Sequence, residues 1–251
     1  MSKFTKKLFV VLSLFLLTAC PKNNPADVEL AERTATLKRI AENIKSQGDV
    51  QTAAQLEAQI ISLNKHDAAS FLELADSLNM MGQKKEAAEV LETGEKLNPE
   101  DDSLKFALAK AYINNNKPHP ALEKIELVVD KENRDYFNIK GVALDLTNKP
   151  EEAQKTFQLG LDKHSHDDLL LNNLALSYVL DDQYQKAIDI LEGLAQRSDA
   201  KPKYKHNLAL AYGLNKQEKL AYQQLISSLT REDAEENLKF YKEIRKQRKA
   251  K

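Results

Sequence analysis

The 251-residue chain carries 37 Lys+Arg against 38 Asp+Glu, a formal net charge of −1. So even a balance excludes the one-signed field by which nucleic-acid binders and enzymes of highly charged substrates steer their ligands. With seven glycines, seven prolines, no tryptophan and few alternating apolar–polar runs, the chain reads as all-α.

Residues 1–19 stand apart from the rest. Lys3, Lys6 and Lys7 precede an apolar run over residues 8–17. The run is shorter than the ~20 residues of a membrane-spanning helix and ends in small residues, as a secretory signal peptide does. Leu17-Thr18-Ala19-Cys20 then resembles the lipobox of bacterial lipoproteins. The resemblance implies that the Cys20 thiol is alkylated with diacylglycerol, that cleavage makes Cys20 the first residue, and that its amine is acylated. Several acyl chains, at about 0.8 kcal/mol per buried CH₂, make such an anchor effectively permanent. Cys20 is the single cysteine, so no disulfide within the chain is expected. No aspartate follows it, which favours sorting to the outer membrane with the folded part facing the periplasm. Residues 20–31, with Pro21, Asn23, Asn24 and Pro25, are expected to resist helix formation and to act as a lipidated tether.

From residue 32 to residue 235 one pattern recurs. Ala87, Ala121, Ala153, Ala187 and Ala221 are spaced 34, 32, 34 and 34 residues apart. Small residues Ala75, Ala109, Gly141, Ala175 and Ala209 keep step with them, as do the larger Leu78, Tyr112, Leu144, Tyr178 and Tyr212. A bulky residue stands four past each second alanine: Leu91, Ile125, Phe157, Leu191 and Leu225. Small residues let two helix axes approach, and the larger ones fill the space beside the crossing. Each copy is therefore a helix–turn–helix. The period and the residue order resemble the tetratricopeptide-repeat family, which implies an α-solenoid of about six repeats. A first, degenerate copy uses Ile40, Ala41, Ile44 and Gly48, then Ala53 and Ala54, with a register slip of one residue suggested by Glu57 at a bulky position. The two residues missing from the 32-residue step are expected to shorten the turn near residues 131–134. Thr230-Arg231-Glu232-Asp233 resembles a capping box that opens a last helix. Residues 236–251 are assigned to this capping helix. Its basic end complements the helix dipole, or alternatively meets anionic head groups or peptidoglycan.

Catalytic chemistry is not legible. The seven glycines form no phosphate-binding loop, and HExxH, GxSxG and CxxC are absent. The segment His164-Ser165-His166-Asp167-Asp168 reads as a solvated inter-repeat loop rather than a metal site. No enzyme activity, metal or cofactor is expected, and no nucleic-acid partner. The resemblance to tetratricopeptide repeats implies instead a concave groove lined by the first helices. Asn138, Asn172, Asn173, Lys203, His206 and Asn207 are expected to be exposed polar positions of that groove. Asn173 and Asn207 occupy equivalent places, where related repeats hydrogen-bond the backbone of a bound peptide through both amide functions.

The succession Gly141-Val142-Ala143-Leu144-Asp145-Leu146, Asn172-Asn173-Leu174-Ala175-Leu176-Ser177 and Asn207-Leu208-Ala209-Leu210-Ala211-Tyr212-Gly213-Leu214 resembles the TadD-like lipoproteins of the tight-adherence (Flp) pilus assembly system. The resemblance runs over most of residues 35–245 and implies a pilot or assembly factor whose partner is the pilus secretin or another assembly component. Type IV pilus pilotin lipoproteins are similar in construction. A scaffold holding a peptidoglycan enzyme is a further expectation of the same parts.

Overall fold

A computed structural model describes residues 24–249 as thirteen α-helices. The signal segment and Cys20 lie outside the described residues. The helices form six antiparallel pairs: α1 (Pro25–Ser46) with α2 (Val50–Leu63), α3 (Ala68–Met80) with α4 (Lys84–Leu97), and α5 (Asp102–Asn114) with α6 (Pro118–Glu126). They continue as α7 (Arg134–Leu146) with α8 (Pro150–Lys163), α9 (Asp168–Leu180) with α10 (Tyr184–Ala195), and α11 (Pro202–Leu214) with α12 (Glu218–Leu225). The chain then closes with α13 (Arg231–Lys249).

The repeat columns are the packing seams. Every second-helix alanine, from Ala53 to Ala221, is fully buried. Leu91, Ile125, Phe157, Leu191 and Leu225, one turn further on, are at most 2% exposed, and each contributes about 1.5–3 kcal/mol by leaving water. The small residues at the crossings admit nothing larger. A Cβ on Gly141 would stand 2.5 Å from the Phe157 ring. The sequence also hides a second complementary pair. Gly94 and Gly160 make room for Phe71 and Phe137, and a Cβ at either glycine would come within 2.7 Å of the phenylalanine.

Seven residues after each first-helix small residue the chain turns through positive φ, at Gly48, Gly82, Asn116, Asn148, Asp182 and Lys216. Beyond Gly82 the following N–H donates back to the carbonyl of the larger column residue. Gln83 reaches Leu78 at 2.9 Å, Lys117 reaches Tyr112 at 2.8 Å, and Gln217 reaches Tyr212 at 2.8 Å. This is the Schellman closure of a helix C-terminus. Gly48 obeys the same count from Ala41, so the first repeat is in register and the expected one-residue slip does not occur. Glu57 truly occupies the bulky column there, 2% exposed, with Oε1 3.4 Å from Lys45 Nζ.

Three further expectations are corrected. Residues 25–31 are helical, not an extended tether. Asn24 caps α1 by accepting from the Ala26 N–H, and Pro25 sits in its first turn, where a fixed φ and a missing N–H suit a helix start. The shortened repeat loses its residues inside α6, nine residues long against fourteen in α4 and α8, while connector 127–133 is longer than connector 98–101. There the Asp102 carboxylate accepts from the N–H groups of Val129 and Asp130, both at 2.9 Å, in place of the missing helical turn. Finally, α13 begins at Arg231, where the capping box places it and five residues before the domain boundary expected at 236, because the Thr230 hydroxyl accepts from the Asp233 N–H at 3.2 Å and caps it.

From α3 to α13 each odd-numbered helix packs against the next odd-numbered helix, and no two even-numbered helices approach to the same extent. The array therefore curves with its odd helices on the inside.

Candidate partner-binding groove

On an odd helix the core takes the stripe through the small residue and its larger partner. Positions six, three and two before the small residue, and one, four and five after it, share the opposite side. This side faces the inner curve. Between α5, α7 and α9 it encloses an open cavity of about 250 Å³. Its floor is apolar: Ile113, Ile139, Val142 and Leu169. Lys110, Asn114, Arg134, Asp135 and Asn138 form the rim, with Arg134 Nη2 paired to Asp135 Oδ1 at 2.7 Å.

The expected polar residues are placed differently from one another. Asn138, Asn173 and Asn207 are half-buried, and Asn172, expected to be exposed, is only 4% exposed. The four asparagines bond to each other. Asn207 Nδ2 donates to Asn172 Oδ1 at 2.7 Å, Asn172 Nδ2 to Asn173 Oδ1 at 3.0 Å, and Asn173 Nδ2 to Asn138 Oδ1 at 2.6 Å. Both inter-helix steps span 35 residues, one repeat plus one residue. The ladder thus ties α11 to α9 to α7 with its own amides. Each of the four amides thus gives at least one group to another asparagine, and Asn172 and Asn173 each give both a donor and an acceptor. Asn138, at one end of the ladder, is the member that also lines the cavity.

Lys203 is exposed, with Nζ 5.4 Å from the centroid of the Tyr204 ring. The His206 ring Nε2 lies 2.7 Å from Ser228 Oγ, which holds it toward the end of α12. Neither reaches the α5–α7–α9 cavity. Of the inter-repeat loop histidines, His164 is engaged in the fold, its Nε2 2.7 Å from the Glu132 carbonyl, while His166 takes positive φ at the turn. Asp167 caps α9 by accepting from Leu169 and Leu170 N–H groups.

The apolar floor was missed by motif reading, yet it had a sequence signal. The α9 sequence, Asp168 to Leu180, is apolar almost all round, whereas a helix on a single core seam needs only one stripe. Leu169, Leu176 and Leu180 are the surplus.

One carboxylate on this side is perturbed. Burial against α9, with some repulsion from Asp181, pushes Asp145 up to about 7 despite the hydrogen bond it accepts from Ser177. Ser177 is fully buried and also lies 3.3 Å from the Pro150 carbonyl, so the pair joins α7, α8 and α9.

Six helix pairs in a common register, with a closing helix, define a tetratricopeptide-repeat α-solenoid. No protein-family model matches the sequence, and no curated relative matches it. The fold is similar to a tetratricopeptide repeat protein from Parabacteroides merdae ATCC 43184, with TM-score 0.71 and 15% identity over 87% of this chain and 86% of that one. It is similar to PilW, a widely conserved type IV pilus biogenesis factor, with TM-score 0.68 and 11% identity over 77% of this chain and 91% of that one. It is similar also to PilF of Pseudomonas aeruginosa, with TM-score 0.63 and 12% identity over 79% and 91%.

Proposed function

We propose that this chain is a lipid-anchored, non-catalytic adaptor of the bacterial envelope that assists Tad/Flp pilus assembly as a pilot or assembly factor for the secretin. The observation that carries the reading is the groove: an apolar floor of Ile113, Ile139, Val142 and Leu169 under a polar rim. Such a surface grips a segment of another chain through side-chain pockets and rim hydrogen bonds. The lipobox at Cys20 and the TadD-like succession from Gly141 to Leu214 support the envelope and pilus assignments. The likeness to PilW favours one alternative, a role in type IV pilus biogenesis rather than in the Tad system.

The test is made in the native host lacking this gene, complemented with wild type, Cys20→Ser, or Val142→Asp with Leu169→Asp. A fatty-acid probe is expected to label wild type and not Cys20→Ser. Detergent-resistant secretin multimers, read by immunoblot, are expected with wild type and lost with the groove variant, provided that variant melts cooperatively. Normal multimers in the deletion strain would remove the secretin from this reading.

A further inference from the structure

The groove already holds one helix at its C-terminal end. Five residues past each small residue stand Leu146, Leu180 and Leu214, on α7, α9 and α11. Leu146 and Leu180 are 49% and 52% exposed, whereas Leu214 is 3% exposed. The difference is α13, whose Tyr241, Leu238 and Ile244 join the core cluster that contains Leu214. Tyr241 lies so close over Gly213 that a Cβ there would collide with its ring.

Two arginines fix that helix in repeat register. Arg245 Nη1 donates to the Gly213 carbonyl at 2.9 Å, and Arg248 Nη1 to the Val179 carbonyl at 2.9 Å. Gly213 and Val179 are equivalent residues one repeat apart, at helix C-termini where the dipole is negative. Carboxylates reinforce each contact. Arg245 Nη2 is 2.8 Å from Glu218 Oε1, and Arg248 pairs with Asp182, the positive-φ residue of the α9–α10 turn. Only by running six residues longer than α11 does α13 reach back as far as α9.

The same track continues past the end of α13. Leu180 and Leu146 follow Leu214 along it, and Asp181 and Asp145 flank them as acceptors. Gln154 Nε2 donates to Asp181 Oδ2 at 3.0 Å, and exposed Lys149 is the cation on the adjoining α7–α8 turn. We infer that the Leu146–Leu180 edge is a docking surface for a partner helix built like α13, amphipathic, with an apolar stripe for the two leucines and arginines for the helix-end carbonyls and aspartates. The inference rests on the reading of the inner curve as a recognition surface and names the class of partner. Continuity with the seat of α13, with the Asp181 side chain beside Leu180 and the helix-end carbonyls as acceptors, selects a basic helix over an extended acidic segment.

The probe is a fluorescent 19-residue peptide with the sequence of residues 231–249, titrated by anisotropy into the full chain in detergent. Saturable binding is expected. It should weaken tenfold or more with Leu146→Asp combined with Leu180→Asp, and equally with a peptide bearing Arg245→Glu and Arg248→Glu. Circular dichroism establishes that the variant chain is folded, and the conservative pair Leu146→Met with Leu180→Met should retain binding. Undiminished binding to the Asp variant would show the peptide exchanging with resident α13 and overturn the inference, as would no saturable binding. A dimer of the chain that dissociates in the Asp variant would also overturn it, since the occupant would then be a second copy. A chain that ignores the peptide yet supports secretin multimers in cells loses this inference alone.

Discussion

Ser177 on α9 donates its hydroxyl to Asp145 Oδ1 on α7 across 2.7 Å, joining two successive repeats through a carboxyl that holds its proton until about pH 7. An aspartate in the unfolded chain loses its proton near 3.8. Between those values the folded chain binds more protons, so this group's contribution to stability falls as pH rises through the window. Solvent reaches part of the side chain, so the effect is discounted to about 1–2 kcal/mol. Asp145→Asn keeps an acceptor for Ser177 and removes the charge. It should melt like wild type at pH 4.5 and be the more stable of the two at pH 8. Thermal melts at the two pH values decide it; an equal or lower melting temperature for the variant at pH 8 rejects the account.

The small-residue column predicts a steric response. Ala175 is fully buried at a helix crossing, and Ala175→Leu should destabilise by about 1–3 kcal/mol through overpacking. Gly141→Ala should behave alike, since its Cβ would meet the Phe157 ring. Gln223→Leu, on an exposed position of α12, should stay within about 0.5 kcal/mol. Urea denaturation of the three variants gives the comparison.

Lys45 and Glu57 make the first repeat unlike the others. Lys45 Nζ sits 3.4 Å from Glu57 Oε1 and 3.1 Å from Asp76 Oδ2, and Glu57 Oε2 is buried without a partner. Lys45→Met strands the Glu57 carboxylate and should cost about 1–3 kcal/mol. Glu57→Leu restores the bulky column while Lys45 keeps Asp76, and should be neutral or stabilising. A double variant less stable than Lys45→Met alone would contradict this.

The asparagine ladder should behave as a coupled unit. Asn207→Ala leaves Asn172 Oδ1 buried without its donor, at about 1 kcal/mol. Asn173→Ala should cost a similar amount. A double-mutant cycle is expected to give a coupling energy of about 0.5 kcal/mol or more through Asn172; strict additivity would mean that the ladder is not maintained in solution.

How much of this was legible from residues alone differs element by element. The columns from Ala75 to Leu225 specify the solenoid, because a helix crossing reads only side-chain size at a fixed period. Thr230 and Asp233 likewise announce the start of α13. The Lys45–Glu57 pair looked like a register slip, since a bulky residue and a buried ion pair occupy the same column and the count to Gly48 had to arbitrate. Pro25 reads as a helix breaker in the sequence because the rule against proline inside a helix says nothing of the first turn, where it sits.

The asparagines of the inner curve show the division most clearly. Their spacing placed Asn173 and Asn207 on one side of equivalent helices, which periodicity determines by itself. Whether those amides face solvent or, as here, bond to Asn138 and Asn172 on the neighbouring first helices depends on how closely those helices pack. The packing of α13 on α11 likewise decided that Leu214 is covered while Leu146 and Leu180 stay open. A linear repeat states which residues share a face. Only the packed array, whose odd helices touch and whose even helices spread, determines how closely those faces meet.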